Sequence, residues 1–143
     1  MTNTHMISKV FVDTNVFVAI RNENDPTHKK AVELLKFIKD HKVKIYTSSD
    51  IIAESLTVIS MKLGKKIALE FLDEVGDNAK EIFVDESIHK QTRLYFKKVK
   101  SKNISFIDCS SVIVMKRNKI DVIFSFDEDF KKMGIKLLGD VIK

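Results

Sequence analysis

"VFVDTNVFVAI", residues 10–20, decides how the rest of the chain is read. Val10 to Val12 and Val16 to Ile20 are apolar and belong in a core, yet Asp13, Thr14 and Asn15 interrupt them. The stretch reads as the first strand of a globular domain, spanning "KVFVDTNVFV" (9–18), with Asp13 in its end half. Taking a carboxylate and an amide out of water beside Val and Phe is costly unless something compensates. An acid placed there marks a position at which stability is given up for chemistry.

Outward from this strand the pattern alternates. "NDPTHKKAVELLKFIKD" opens with Asp25 as an expected N-cap and Pro26 in the first turn, and Ala31, Leu34, Leu35 and Ile38 form a helical stripe. "KVKIYT" is a short strand that leads through Thr47, Ser48 and Ser49 into a helix with Ile52, Leu56, Ile59 and Leu63 on one face. "KKIALEFLDEVG" gives a further helix with Gly76 as its expected stop, and "EIFV" a strand. Ile88, Thr92, Tyr95 and Val99 mark another helix, "SFIDCSSVIVMKRN" a capped one, and "DVIFS" and "IKLL" the closing strands. Strands alternating with helices require crossover connections, so a three-layer α/β/α sandwich with a mainly parallel central sheet is expected.

The bulk properties agree with one domain. The 143 residues can bury roughly two thirds of their unfolded surface around one core. Apolar residues at 44% and charged residues at 31% exclude a disordered chain. There is no repeat or low-complexity linker, so a single domain over 6–143 is expected. Residues 1–5 read as a tag scar or disordered start, because "HM" precedes "ISKVFVDTN" and places a natural start at Met6. A net charge of +5 favours polyanionic partners. Cys109 is the single cysteine, which excludes an intrachain disulfide and a multi-cysteine zinc site and fits a reducing compartment. No apolar run approaches the roughly 20 residues of a membrane span, and the polar start lacks a signal-peptide core. A cytoplasmic protein with no membrane partner is expected.

In an open α/β sheet, ligands bind beyond the carboxyl ends of the strands. Asp13 lies near such an end, Glu54 and Asp108 lie early in helices, and Asp127 follows "DVIFS". All four can face one mouth. At about 5 Å and an effective dielectric near 20, each carboxylate pair costs roughly 3 kcal/mol, so the cluster requires a cation or protons. Oxygen ligands without a neighbouring His or Cys suit Mg²⁺ or Mn²⁺, whose usual work is phosphate chemistry. Singly, Glu54 and Asp108 also read as ordinary helix-start residues; Asp13 does not. The lysines of "KKVKSK" (97–102) read as a basic helix end, His28, His41 and His89 as surface positions, and Cys109 as a small core residue. Dinucleotide-binding, P-loop and zincin motifs are missing from the sequence.

These motifs, in series, resemble the PIN domain ribonucleases, a family that includes the toxin half of many prokaryotic toxin–antitoxin pairs. "VFVDTNVFV" resembles the family's first motif, with Asp13 the first metal-binding acid and Asn15 its supporting residue. "DIIAESL" resembles the second with Glu54, and "SFIDCSSVIVMK" the third with Asp108. "IFSFDEDFKKMGIKLL" resembles the closing motif, with Ser125 the small hydroxyl residue and Asp127 the fourth acid; Phe126 stands between them, and Asp129 is a rival fourth ligand. The resemblance implies Mg²⁺- or Mn²⁺-dependent hydrolysis of RNA, leaving a 5′-phosphate and a 3′-hydroxyl. It further implies a homodimer and an antitoxin that inserts a basic side chain into the acidic pocket. A basic rim must carry the RNA backbone, with Arg21 and the lysines around 116–119 as candidates. Two other functions are weighed against this one: a PIN-like module that binds RNA or protein without cutting, and a small Mg²⁺-dependent phosphatase, for which "DTN" lacks the second Asp of a D-x-D nucleophile.

Overall fold

The computed structural model describes residues 7–142; the expected start at Met6 and the discounted residues 1–5 lie outside the described residues. In chain order the elements are β1 (Lys9–Val12), α1 (Thr14–Arg21), α2 (His28–Asp40), β2 (Lys44–Ser48), α3 (Ser49–Leu63), α4 (Lys65–Asn78) and β3 (Lys80–Ile82). They continue with α5 (Glu86–Lys98), α6 (Phe106–Arg117), β4 (Val122–Phe124), a 3₁₀ helix (Glu128–Met133), β5 (Lys136–Leu137) and α7 (Leu138–Val141). The strands form one sheet in the order β3-β2-β1-β4-β5, and every pairing is parallel.

Successive side chains of a strand point to opposite faces. Val10, Phe11 and Val12 of β1 and all of β4 are nevertheless buried, so helices cover both faces of the sheet at its centre. The α/β/α sandwich expected from the alternation is what forms. The edge strands are short and more exposed, with Lys80, Glu81 and Lys136 in contact with solvent. Such edges resist further strand pairing. No helix among the described residues is long and apolar enough to cross a membrane.

Four local readings are corrected. The first strand does not run through residue 18: it ends at Val12, and Thr14–Arg21 is helix, with Asp13 as its N-cap in extended conformation. Val16 to Ala19 are all buried because α1 packs against both α2 and α3. A helix buried on nearly all sides has no polar stripe, and over so short a run it cannot be told from a buried strand. Asp25 is not the N-cap of α2. Its Oδ1 accepts hydrogen bonds from the Thr27 N–H (2.8 Å) and hydroxyl (2.7 Å), a turn that precedes a helix starting at His28. Gly76 does not stop α4, which runs on to Asn78 and ends as Ala79 becomes extended. The strand read as "EIFV" lies instead at Lys80–Ile82, and those read as "DVIFS" and "IKLL" shorten to three and two residues, since only those positions find a ladder partner.

Candidate active site

The strand order reverses direction at β1, whose two neighbours are β2 and β4. A crevice opens beyond the carboxyl ends of strands at such a switch point. Val12 and Phe124 are register partners, and the Asp13 N–H donates to the Phe124 carbonyl (3.1 Å), so Asp13 and Ser125 leave the sheet side by side.

Asp13 is 6% exposed. Its Oδ1 accepts from the Thr14 N–H (2.9 Å), capping α1, and its Oδ2 accepts from the Ser125 hydroxyl (2.8 Å). Ser125 uses its full hydrogen-bonding capacity, because Oγ also accepts from the Asn15 amide (3.1 Å) and the Asp127 N–H (3.1 Å). Asn15 closes the circuit. Its Nδ2 lies 3.4 Å from Asp13 Oδ2, and its Oδ1 accepts from the Phe126 N–H (3.2 Å). The interruption in residues 10–20 is therefore a junction: strand end, helix cap and a polar clamp onto the loop after β4.

A cavity of about 440 Å³ lies over this junction. It is lined by Asp13, Asn15, Glu54, Asp108 and Asp127, which come from four separated parts of the sequence. Glu54 projects from α3, whose start is fixed by the Ser48 hydroxyl accepting from the Ile51 N–H. Asp108 lies in the first turn of α6 and serves two ends. Its Oδ2 accepts from the Ser105 N–H while its own N–H donates to Ser105 Oγ, a capping box. Asp127 caps the 3₁₀ helix through Oδ1, which accepts from the Asp129 N–H (2.9 Å). Asp129 does not line the cavity; it pairs with Lys132 (3.0 Å).

Burial pushes the Asp13 carboxyl up from the ordinary 3.8 to about 7. The Ser125 and Thr14 hydrogen bonds oppose that rise, and the charges of Asp108 and Glu54 add to it. Burial likewise raises Asp108, against the pull of the Ser105 N–H and with the repulsion of Asp127 and Glu54. The acids therefore feel one another. No group of three or more His, Cys, Asp or Glu side chains among the described residues is arranged as a ready-made metal cage. The metal-ligating side chains of the cavity are oxygen donors, with no His or Cys in its lining. That donor set fits a hard divalent ion that keeps several waters and takes one or two carboxylates, and it does not fit a zinc site closed by thiolates or imidazoles.

The structure also brings in Asp25, Thr27 and Lys62, none of which the sequence reading placed at the site. The available signal for Lys62 was its spacing, two steps of four from Glu54 along α3. The cations expected at the rim lie elsewhere. Arg21 donates to the Phe17 carbonyl (3.1 Å), pairs with Glu74 and stacks 4.7 Å over Phe71. Lys116 sits over Tyr95, and Arg117 donates to Ser87 and Gln91. Lys119 borders a larger cleft of about 740 Å³ at the amino ends of the strands, beside Asp121 and Asp140. Size does not single out that cleft, because it lacks the converging carboxylates.

A family model for the PIN domain matches residues 10–136. The chain belongs to the PIN domain family. This PIN domain is 31% identical over 131 residues to Ribonuclease VapC1 of Aquifex aeolicus, covering 91% of this chain and 89% of that protein. Its fold is similar to the crystal structure of VapC20 of Mycobacterium tuberculosis, a sarcin-ricin loop cleaving toxin, with a TM-score of 0.78 at 23% identity over 88% of this chain and 95% of that one. It is also similar to VapBC2 of Rickettsia felis, solved bound to a DNA fragment from their promoter, with a TM-score of 0.61 at 17% identity over 90% and 96% of the two chains.

Proposed function

We propose that this PIN domain is a metal-dependent endoribonuclease that hydrolyses RNA phosphodiester bonds in the cavity beyond β1 and β4. One observation carries the reading: four acids from four separated motifs line a single cavity, in a chain 31% identical to a ribonuclease. Asp13 and Asp108 would hold Mg²⁺ or Mn²⁺, and Glu54 and Asp127 complete the acidic wall and orient the attacking water or a second ion. When bound, the ion lowers the pKa of water and stabilises charge on the phosphoryl oxygens.

The chain's own part is to prepare the carboxylates. Asn15 and Ser125 hold Asp13 Oδ2 in one orientation, so little ordering remains when the ion arrives. Asp13 would hold the ion in its charged form, which coordination requires. The capping box fixes the Asp108 carboxylate in the same way. We further read the protein as a cytoplasmic, homodimeric toxin of one domain across 6–143, with an antitoxin whose basic side chain fills the acidic cavity. Charge complementarity supports that partner.

Incubation with RNA and with a chromogenic phosphate monoester, each with Mn²⁺ or Mg²⁺ and with EDTA, tests the reaction class. RNA cut only with free metal, and the monoester untouched, is the expected result. Monoester turnover with intact RNA would instead assign a phosphatase.

A further inference from the structure

A polyanion entering a cavity walled by carboxylates is repelled, so its backbone needs a cation fixed beside the reacting centre. The nearby cations of the closing motif are committed: Lys132 to Asp129, and Lys131 to Glu128 and Asp140. Arg21 is committed to Glu74 and Phe71. Among the described residues, Lys62 is the one cation that lines the acidic cavity. It is exposed and takes part in none of the ion pairs among the described residues.

Helix geometry fixes where its charge falls. Glu54, Val58 and Lys62 are spaced by four on α3, so they share one face, and all three line the cavity. Eight residues of rise put Lys62 about 12 Å along the axis from Glu54. The side chain leans back toward the helix amino terminus, so the ammonium lies on the acids' side of that span, in place for a phosphate next to the one at the acids. Facing Lys62 is the turn at Asp25, whose Oδ1 is occupied by two hydrogen bonds from Thr27. Asp25 lies within electrostatic reach of Lys62 without forming an ion pair with it.

We propose that Lys62 is a positioning residue that binds a backbone phosphate flanking the scissile bond and so fixes the register of the RNA across the acids. The inference rests on the nuclease reading of the same cavity and adds a phosphate subsite to it. A merely structural lysine in the last turn of α3 would complement the helix dipole, and its loss would lower the melting temperature without changing substrate affinity.

The test has two arms, each comparing wild type with Lys62→Ala, Lys62→Arg and Lys66→Ala; Lys66 is exposed on α4 and outside the cavity, and losing it changes net charge equally. In the first arm, steady-state cleavage of a fluorogenic oligoribonucleotide with Mn²⁺ should show KM raised roughly tenfold in Lys62→Ala, as for one charged hydrogen bond. There kcat should be little changed, Lys62→Arg should restore KM, and Lys66→Ala should match wild type. In the second arm, binding of labelled single-stranded RNA is followed against salt in an Asp13→Asn background. Lys62→Ala should reduce the slope of log affinity against log salt by about 0.7, the loss of one phosphate contact, and Lys66→Ala should not. Equal behaviour of Lys62→Ala and Lys66→Ala in both arms overturns the proposal and leaves the nuclease reading standing. If wild type cuts no RNA but Lys62→Ala still loses the salt-dependent contact, the nuclease reading falls and the phosphate subsite remains.

Discussion

Asp13 carries two demands that conflict when no ion is present. Its carboxylate must cap α1 and accept from Ser125, yet it is buried among other acids, and its pKa rises to about 7. The consequence for stability has a definite sign. Below the ordinary 3.8 both folded and unfolded chains hold the proton; between about 4 and 7 the folded chain keeps a proton that the unfolded chain has lost. Metal-free protein should therefore lose stability as pH rises through that window, by an amount on the order of 4 kcal/mol once the folded carboxyl ionises. Denaturant melts in EDTA from pH 4 to 8 should show the fall in wild type and a flatter profile in Asp13→Asn, which keeps an acceptor for the Thr14 N–H. Identical profiles would mean that Asp13 is not buried as a strained acid. Asp108 separates charge from capping in another way. Asp108→Asn keeps an acceptor for the Ser105 N–H and removes the like charge, so its melting temperature in EDTA at neutral pH should match or exceed wild type. Asp108→Ala loses one side of the capping box and should be less stable than Asp108→Asn by about 1 kcal/mol.

At the scale of elements, the site depends on where helices and strands begin. The 3₁₀ helix after β4 divides Asp127, its cap and a wall of the cavity, from Asp129, which turns away to Lys132. Asp127→Asn should thus depress RNA cleavage far more than Asp129→Asn; equal losses would place the fourth acid wrongly. The same scale shows what could be read from the sequence. The convergence of Asp13, Asp108 and Asp127 was legible because each sits at the start of an element, where capping chemistry is local, and that of Glu54 because it follows the start of α3 by little more than one turn. The end of β1 at Val12 was not, since the buried α1 offers no polar face to betray its period. Nor was the fate of Arg21, whose partners Glu74 and Phe71 are distant in sequence and meet it only through the packing of α1 on α4. Asp25 before Pro and Thr suits both an N-cap and the turn that forms, and its two hydrogen bonds from Thr27 tie it to the turn.

The order β3-β2-β1-β4-β5 is what opens the crevice that holds the candidate site. It places the switch point at β1, so that the chain leaving β1 and the chain leaving β4 must part there, and the polar clamp of Asp13, Asn15 and Ser125 occupies the gap. Helices α3 and α6 start at the same end and supply Glu54, from the second turn of α3, and Asp108, from the first turn of α6. The sheet's other end holds a larger cleft with lysines and aspartates in company. On the proposed function, the buried acid at the end of β1 serves metal-dependent cleavage of RNA. The most direct measurement is RNA cleavage by purified Asp13→Asn beside wild type, in Mn²⁺ and in EDTA, after melts have shown both folded. Wild type should cut RNA in a metal-dependent way, and the variant should lose at least two to three orders of magnitude in rate, as for removal of a group that stabilises transition-state charge. Full activity in folded Asp13→Asn would contradict the proposed function.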